Sequence, residues 1–347
     1  MVAGAGAIGA AVAWRLQSAG IPVVQVDPSP IAGNASGVAA GMLAPAFETV
    51  LDDLGVDAFP MLRAARDEWP AFIAGLEPFG AWIDRSGALW VDDAPSQDRM
   101  LERLRAAGAD AVQLGGGEVE RLCPGLQAPA GAIHCPEDWR LDPVVMLSAM
   151  RRAFLAAGGR FVEASLRSMD AGGAILSDGT RLGADAVVLA TGLGPMARGE
   201  GPLELARLTP IKGQIARSAA SVARGGPIVR GPGVYLAPAA SGAAVGATME
   251  VGRADLEVDP EVIARFRAAA GSLFPEMAGA ALVGAAGVRA ATPDGLPMVG
   301  ASSRPGVILA LGARRNGWLL APMISRKVAE ALAGAPAGRF DPLRFED

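Results

Sequence analysis

The sequence predicts an α/β fold: a dinucleotide-binding, Rossmann-like part joined to a second, mostly antiparallel part. Three observations lead there. A glycine fingerprint opens the chain, a second buried strand runs into a small-residue turn near residue 190, and 347 residues of half-apolar sequence suffice for about two domains.

The fingerprint is Gly4-x-Gly6-x-x-Gly9, reached from Val2 and Ala3. Gly4 permits a tight turn out of a strand, Gly6 lets the backbone approach a pyrophosphate, and Gly9 lets the next helix pack closely on the sheet. The helix N-terminus at Ala7 and Ile8 then offers free N–H groups and a partial positive charge to phosphates. Ile8, Val12 and Leu16 recur every four residues on one helical face, and Gly20 stands where a helix-ending glycine is favoured. Val23-Val24-Gln25-Val26 reads as the second strand. It ends at Asp27, placed to accept hydrogen bonds from a ribose. Only Met1, Val2 and Ala3 precede Gly4, whereas a strand usually has about five or six residues. The first strand is therefore either unusually short or continued by residues upstream of this start.

Composition narrows the function. The chain is 51% hydrophobic and 19% charged, which excludes a disordered protein. A net charge of −5 argues against nucleic-acid binding. Cys123 and Cys135 form neither a disulfide framework nor a metal spacing, and His134 is the sole histidine, so a histidine metal cluster is excluded. A structural role is expected for His134, because no partner acid or base stands at a motif spacing. The N-terminus has no basic stretch typical of a secretion signal, and no apolar run reaches membrane-spanning length. A reducing, cytoplasmic setting is expected.

Further along, residues 34–45 are small, mildly apolar and uncharged, a composition that lets backbone approach a flat ligand. Helices are expected over 61–76, 98–108, 143–155 and 260–274, with strands over 88–91 and 160–164. Asp178-Gly179 marks a hairpin turn. Residues 184–190 read as a fully buried strand entering Thr191-Gly192, and 233–238 and 242–250 as two antiparallel strands. Pro293-Asp294-Gly295 is turn chemistry that would hold Arg289 on a strand just before it.

Four islands carry a resemblance: the fingerprint; Ala39-Ala40-Gly41-Met42-Leu43-Ala44-Pro45; Arg289-x-x-Thr292-Pro293-Asp294-Gly295-Leu296-Pro297; and Gly312-Ala313-Arg314-Arg315-Asn316-Gly317-Trp318-Leu319-Leu320-Ala321-Pro322. In this order they resemble the glycine oxidase family of FAD-dependent amine oxidases, within the D-amino-acid oxidase superfamily, across essentially the whole chain. The family's last motif has histidine where this chain has Ala313. The resemblance implies a two-dinucleotide-binding-domain, FAD-binding fold. Its discontinuous FAD-binding domain would comprise 1–45, 141–206 and 286–347, and its substrate-binding domain 46–140 and 207–285. It also implies non-covalent FAD, since both cysteines lie outside 287–322. The FAD contacts implied are Gly4, Gly6, Ala7, Ile8, Gly9, Asp27, Pro28, Ala35, Ser36, Ala40, Gly41, Met42, Leu166 (against the adenine), Thr191, Gly192 and 312–319, that is Gly312, Ala313, Arg314, Arg315, Asn316, Gly317, Trp318 and Leu319.

For catalysis the resemblance implies Arg289 as a clamp on the substrate carboxylate, Arg315 near that carboxylate and the flavin, a hydroxyl contact from Tyr235, and Met249 and Met42 as pocket walls. A planar guanidinium suits a carboxylate because it can donate two parallel hydrogen bonds. The activity expected is oxidation of glycine or another small amino acid to the imine, with O₂ reduced to H₂O₂ and the imine supplied to thiamine thiazole synthesis. The competing reading is a D-amino-acid or sarcosine-type dehydrogenase that passes electrons to another acceptor. A NAD-dependent dehydrogenase is disfavoured by the Thr191-Gly192 turn and by 315–320; a flavin-binding subunit without catalysis is the remaining class. The expected partners are a small amino acid, the electron acceptor and further copies of the chain.

Overall fold

Val2 and Ala3, both fully buried, pair in parallel with a strand on either side, Val24–Val26 and Val187–Leu189. The short first strand is thus central, and its neighbours are themselves only three residues long. These strands belong to the six-stranded sheet of a computed structural model that describes all residues except 32, 53–54, 171–172, 195–200, 221–224 and 346–347. The sheet runs Met298–Ala301, Val307–Leu311, Val187–Leu189, Val2–Ala3, Val24–Val26, Arg160–Val162, and only the Met298–Ala301 edge is antiparallel. A parallel sheet must be covered on both faces. Helices Ala7–Ser18, Pro143–Ala156 and Gly317–Leu332 cover one, burying Val12, Leu16, Met150, Phe154 and Ile324. A three-stranded sheet, Leu166–Asp170, Gly173–Leu176 and Arg181–Gly183, covers the other.

The second sheet has nine strands and carries the other half of the molecule. Its path is Glu250–Val251, Thr209–Ser218, Gly242–Gly246, Val234–Ala239, Ile228–Gly231, Ala88–Trp90, Ala132–Cys135, Val112–Leu114, and Val283–Ala291 also pairs with Thr209–Ser218. All these pairings are antiparallel except Ile228–Gly231 with Ala88–Trp90. The domain boundary expected between 285 and 286 falls inside Val283–Ala291, which pairs with Thr209–Ser218 along its whole length.

Several elements differ from the sequence reading. The helix expected over 61–76 is two, Phe59–Asp67 and Trp69–Ile73. Pro70 has no N–H for the carbonyl of Arg66, and its ring clashes with a continuing turn. The helix expected from 98 starts at Ala94, because the Asp93 carboxylate accepts from Ser96 N at 2.8 Å and caps it. The strand expected over 242–250 is interrupted: it ends at Gly246 and resumes at Glu250, and Ala247, Thr248 and Met249 between them face a cavity. Residues 34–45 fold as a short helix, Ala35–Val38, and a short strand, Met42–Leu43. His134 sits in strand Ala132–Cys135 with Nε2 3.1 Å from Ser86 O, and it lines neither of the two cavities described below.

Candidate active site

Two cavities meet between the sheets. The first, of about 510 Å³, starts at the fingerprint. Gly4 has φ +105°, and a Cβ there would stand 2.3 Å from Ala190 O; one on Gly9 would stand 2.2 Å from Gly4 O. Both glycines therefore serve close packing behind the cavity, and Gly6, Ala7 and Ile8 form its wall. Ser36 Oγ accepts from Ala7 N at 2.9 Å, which ties the fingerprint to the helix Ala35–Val38. That helix is held from two more directions. Trp318 Nε1 donates to Ser36 O at 3.1 Å, and Arg217 donates to the carbonyls of Val38 and Ala39 at 3.0 and 2.7 Å. Arg217 thereby satisfies helix-end carbonyls that have no partner within the helix.

Asp27 reaches the same cavity, but its Oδ2 already accepts from Ala5 N at 2.6 Å and its Oδ1 from Ser29 N at 2.7 Å. A carboxylate oxygen can accept a second bond, so both remain usable. Thr191, Gly192, Gly312, Ala313, Arg314, Arg315, Gly317 and Trp318 complete the expected set on this wall. Among the described residues, a Cβ added at Gly192 or Gly317 would meet no atom within 4 Å. Arg314 holds a left-handed φ of +48° and is ion-paired with Asp52.

Several of the expected contacts do not line this first cavity. Leu166 is packed into the core with Val26, Leu176 and Leu189, and Leu319 is fully buried against the helical core. Pro28 is absent from both cavity walls, and Ala40, Gly41, Met42 and Asn316 line the second cavity instead of the first. The physical reason for Leu319 is helix periodicity: Gly317 and Trp318 face the cavity, and the next residue turns toward the core.

The second cavity, of about 300 Å³, contains Arg289, Tyr235, Arg315 and Met249 together. Ala35, Ala39, Gly287, Arg289, Arg315 and Trp318 line both cavities, so one elongated ligand can run from the fingerprint to the arginines. Arg289 crosses over Gly213 of the neighbouring strand, where a Cβ would lie 2.3 Å from Nη1. That nitrogen is buried and has no hydrogen-bond partner among the described residues. Burial lowers the Arg289 pKa from its ordinary value, yet a guanidinium remains a cation in a protein. Burial raises the Tyr235 pKa, which keeps the phenol protonated. Gly246 opposite leaves room for it, since a Cβ there would be 3.1 Å from Tyr235 Oη.

Three further residues of this cavity escaped the sequence reading: Glu48, Arg230 and Trp90. Glu48 ends a bridge between two arginines. Arg230 Nη2 and Arg315 Nη2 both donate to its Oε1, at 2.8 and 3.3 Å, and Arg315 Nε approaches its Oε2 at 2.6 Å, off the axis of a good hydrogen bond. Burial works against this carboxylate, but the charges of Arg315 and Arg230 outweigh it and hold the pKa below its ordinary value. Helix Pro45–Leu51 delivers Glu48, and the buried Asp138 carboxylate anchors that helix by accepting from Ala46 N and Phe47 N at 2.8 and 3.1 Å. The one available signal was position: Glu48 follows the 39–45 island by three residues. Nothing local marked Arg230 or Trp90.

The profile of the FAD dependent oxidoreductase family matches residues 1–331. The chain belongs to that family. Its long cavity, walled by a fingerprint loop and small residues, fits FAD on the structure's own terms. Glycine oxidase from Geobacillus kaustophilus is 27% identical, covering 95% of this chain and 91% of that protein. The crystal structure of that enzyme has a TM-score of 0.84 at 26% identity, covering 100% of this chain and 98% of its own. Iminodiacetate oxidase (IdaA) from Chelativorans sp. BNC1 has a TM-score of 0.83 at 27% identity, covering 98% of both chains. The bifunctional tRNA 5-methylaminomethyl-2-thiouridine biosynthesis protein MnmC of Maricaulis maris is 30% identical over 97% of this chain, which spans 52% of that protein. The oxidoreductase is thus FAD-dependent and of amino-acid-oxidase type, with the mixed α/β fold expected. Among the described residues no helix is long and apolar enough to cross a membrane.

Proposed function

We propose that this oxidoreductase oxidises a small amino acid at the carbon bearing the amine. The observation that carries the reading is Arg289: a cation whose buried Nη1 lacks a partner, held where the two cavities join. A buried donor left unpaired costs about 1–3 kcal/mol, and a substrate carboxylate would satisfy it. When bound, FAD would supply the two-electron redox chemistry that takes the amine to the imine, with O₂ as the final acceptor and H₂O₂ as its product. Arg289 would hold the carboxylate and Tyr235 would donate its hydroxyl proton to the same end of the substrate. Arg315, braced by Glu48, would stand at the flavin side. Together they would fix the α-carbon before the ring, which is the protein's main contribution to such a reaction. Residues 1–45, 141–206 and 286–347 would hold the cofactor, with the Val283–Ala291 strand shared between the halves. Use of the imine in thiamine thiazole synthesis is the downstream role proposed, on the family resemblance.

The test is optical. The purified protein should be yellow, and acid precipitation should release all the flavin, because Cys123 and Cys135 are buried and line neither cavity. Anaerobic glycine, sarcosine or D-alanine should bleach the flavin, and air should restore it with release of H₂O₂. A flavin that no small amine bleaches would overturn the reading. Restoration by an artificial acceptor but not by air would convert it to a dehydrogenase.

A further inference from the structure

We propose that the preferred substrate is an amine bearing two carboxylates, one held by Arg289 and the other by Arg230 with Trp90. The inference rests on the amine oxidation proposed above and names its substrate class. It starts from charge. The charged side chains lining the second cavity, among the described residues, are Arg230, Arg289, Arg315 and Glu48. Glu48, shared by Arg230 and Arg315, offsets one of the three positive charges, so a net two remain. An amino acid with one carboxylate neutralises only one of them.

Geometry separates Arg230 from Arg289. On adjacent strands Trp90 lies opposite Arg230, Arg230 opposite Tyr235, and Tyr235 opposite Gly246. These four form one row across the sheet, and all of them line the cavity. Gly213, over which the Arg289 guanidinium lies, is on the strand next beyond Gly246. The backbones of Arg230 and Gly213 are therefore three strand spacings apart, about 14 Å at ~4.8 Å each, with Tyr235 between them. A short molecule lying along this row over Tyr235 would have Arg230 and Trp90 toward one end and the Arg289 guanidinium, over Gly213, toward the other.

Hydrogen bonding makes the same division. The buried nitrogens Arg289 Nη1, Arg230 Nε and Trp90 Nε1 have no acceptor among the described residues. One belongs to the Arg289 end and two to the Arg230 end. Glu48 takes only Nη2 of Arg230, and Asp138, which accepts from Ala46 N and Phe47 N, takes neither Arg230 Nε nor Trp90 Nε1. Buried donors are normally paired, so unpaired ones at both ends of one cavity call for acceptor oxygens at both ends. A carboxylate offers them in the planar arrangement a guanidinium matches.

The experiment compares substrates that differ by one carboxylate: sarcosine with iminodiacetate, and D-alanine with D-aspartate. In each pair the dicarboxylate should have kcat/KM about ten- to a hundredfold higher, the value of one charge-assisted contact. Trp90→Phe and Arg230→Gln should each lower the ratio of kcat/KM for iminodiacetate to that for sarcosine by about tenfold or more. Trp90→Phe keeps the ring and serves if Arg230→Gln fails to fold. Binding is read separately, by titrating the oxidised holoenzyme with malonate and with acetate and following the flavin spectrum. Malonate should bind at least about tenfold tighter. Equal kcat/KM within both substrate pairs, or equal affinity for malonate and acetate, would overturn the proposal. Tight malonate binding with no amine reducing the flavin would keep the two-carboxylate site and sink the oxidation.

Discussion

The two cavities are built by opposite means. The wall of the first is mostly backbone and small residues: the fingerprint loop, Gly33, Ala35, Gly192, Gly194, Gly312 and Gly317. Its polar capacity comes from a helix N-terminus and from carbonyl and amide groups near it. The second is made by large side chains that converge from distant segments: Glu48 and Trp90 from the first third of the chain, Arg230 and Tyr235 from the third quarter, Arg289 and Arg315 from the end. A ligand that is long and mostly invariant is met by backbone; the part that differs between substrates is met by side chains. The first cavity should therefore respond to the addition of a single methyl group, and the second to changes of charge and donor geometry.

The largest effect should follow Gly4→Ala. Its φ of +105° strains any other residue, and the new Cβ would press on Ala190 O at 2.3 Å in the centre of the sheet. The variant should lose about 3–5 kcal/mol of stability, or fail to fold, and should purify without flavin. Thermal melts and the absorbance ratio at 450 and 280 nm, roughly zero at 450 nm in the apo form, read this out. A variant that keeps both its Tm and its flavin would break the comparison at its first term.

On the other side, Arg289→Lys should leave the protein yellow. It keeps the charge and loses the planar fork, so kcat/KM should fall by about 1.5–3 kcal/mol in transition-state terms. Unchanged kcat/KM would remove Arg289 from the site, and loss of flavin would show that the two cavities are not separable in this way.

Asp138, which anchors the helix carrying Glu48, offers a test through pH. Burial pushes its carboxyl up to about 7, against the opposing pull of Arg230 and of the Ala46 and Phe47 amides. The folded state therefore binds this proton more tightly than the unfolded chain. The associated stability is fully present below about pH 4 and is lost as pH rises through about 7. Between pH 6 and 8 the loss should be about 1.4 kcal/mol. Asp138→Asn should flatten that part of the stability profile, as measured by denaturant unfolding at each pH. An unchanged slope would mean that another group titrates there.

The smallest effect should come from Gly192→Ala. The φ of +58° is unfavourable for alanine, but among the described residues no atom lies within 4 Å of the added Cβ. The backbone term alone is about 1 kcal/mol. Flavin affinity should fall by more than stability does, because the methyl projects into the first cavity. Equal effects on apo and holo protein would place it outside the cofactor's path.

What could be read from the sequence follows the same division. The fingerprint, the helix after it, the Thr191-Gly192 turn and the Arg289 strand before Pro293-Asp294-Gly295 were all visible, because each is a run of neighbouring residues whose local conformation is its function. Gly4, Gly6 and Gly9 could be given separate duties from spacing alone, and for Gly4 and Gly9 those duties agree with where a Cβ would clash. Arg289, Tyr235, Arg315 and Met249 were expected in one pocket, and they do line one. The break at Pro70 is local in the sequence as well. The rest was decided by strand pairing. The resemblance puts Leu166 at the adenine, and its strand packs its side chain into the core beneath the parallel sheet. Arg230 and Trp90 stand 140 residues apart and meet because Ile228–Gly231 pairs in parallel with Ala88–Trp90. Glu48 becomes their counter-ion because Asp138, 90 residues later, holds its helix in place. Backbone-built sites are local in sequence because consecutive amides form them. A charge constellation depends on which strands become neighbours, and only the folded chain decides that.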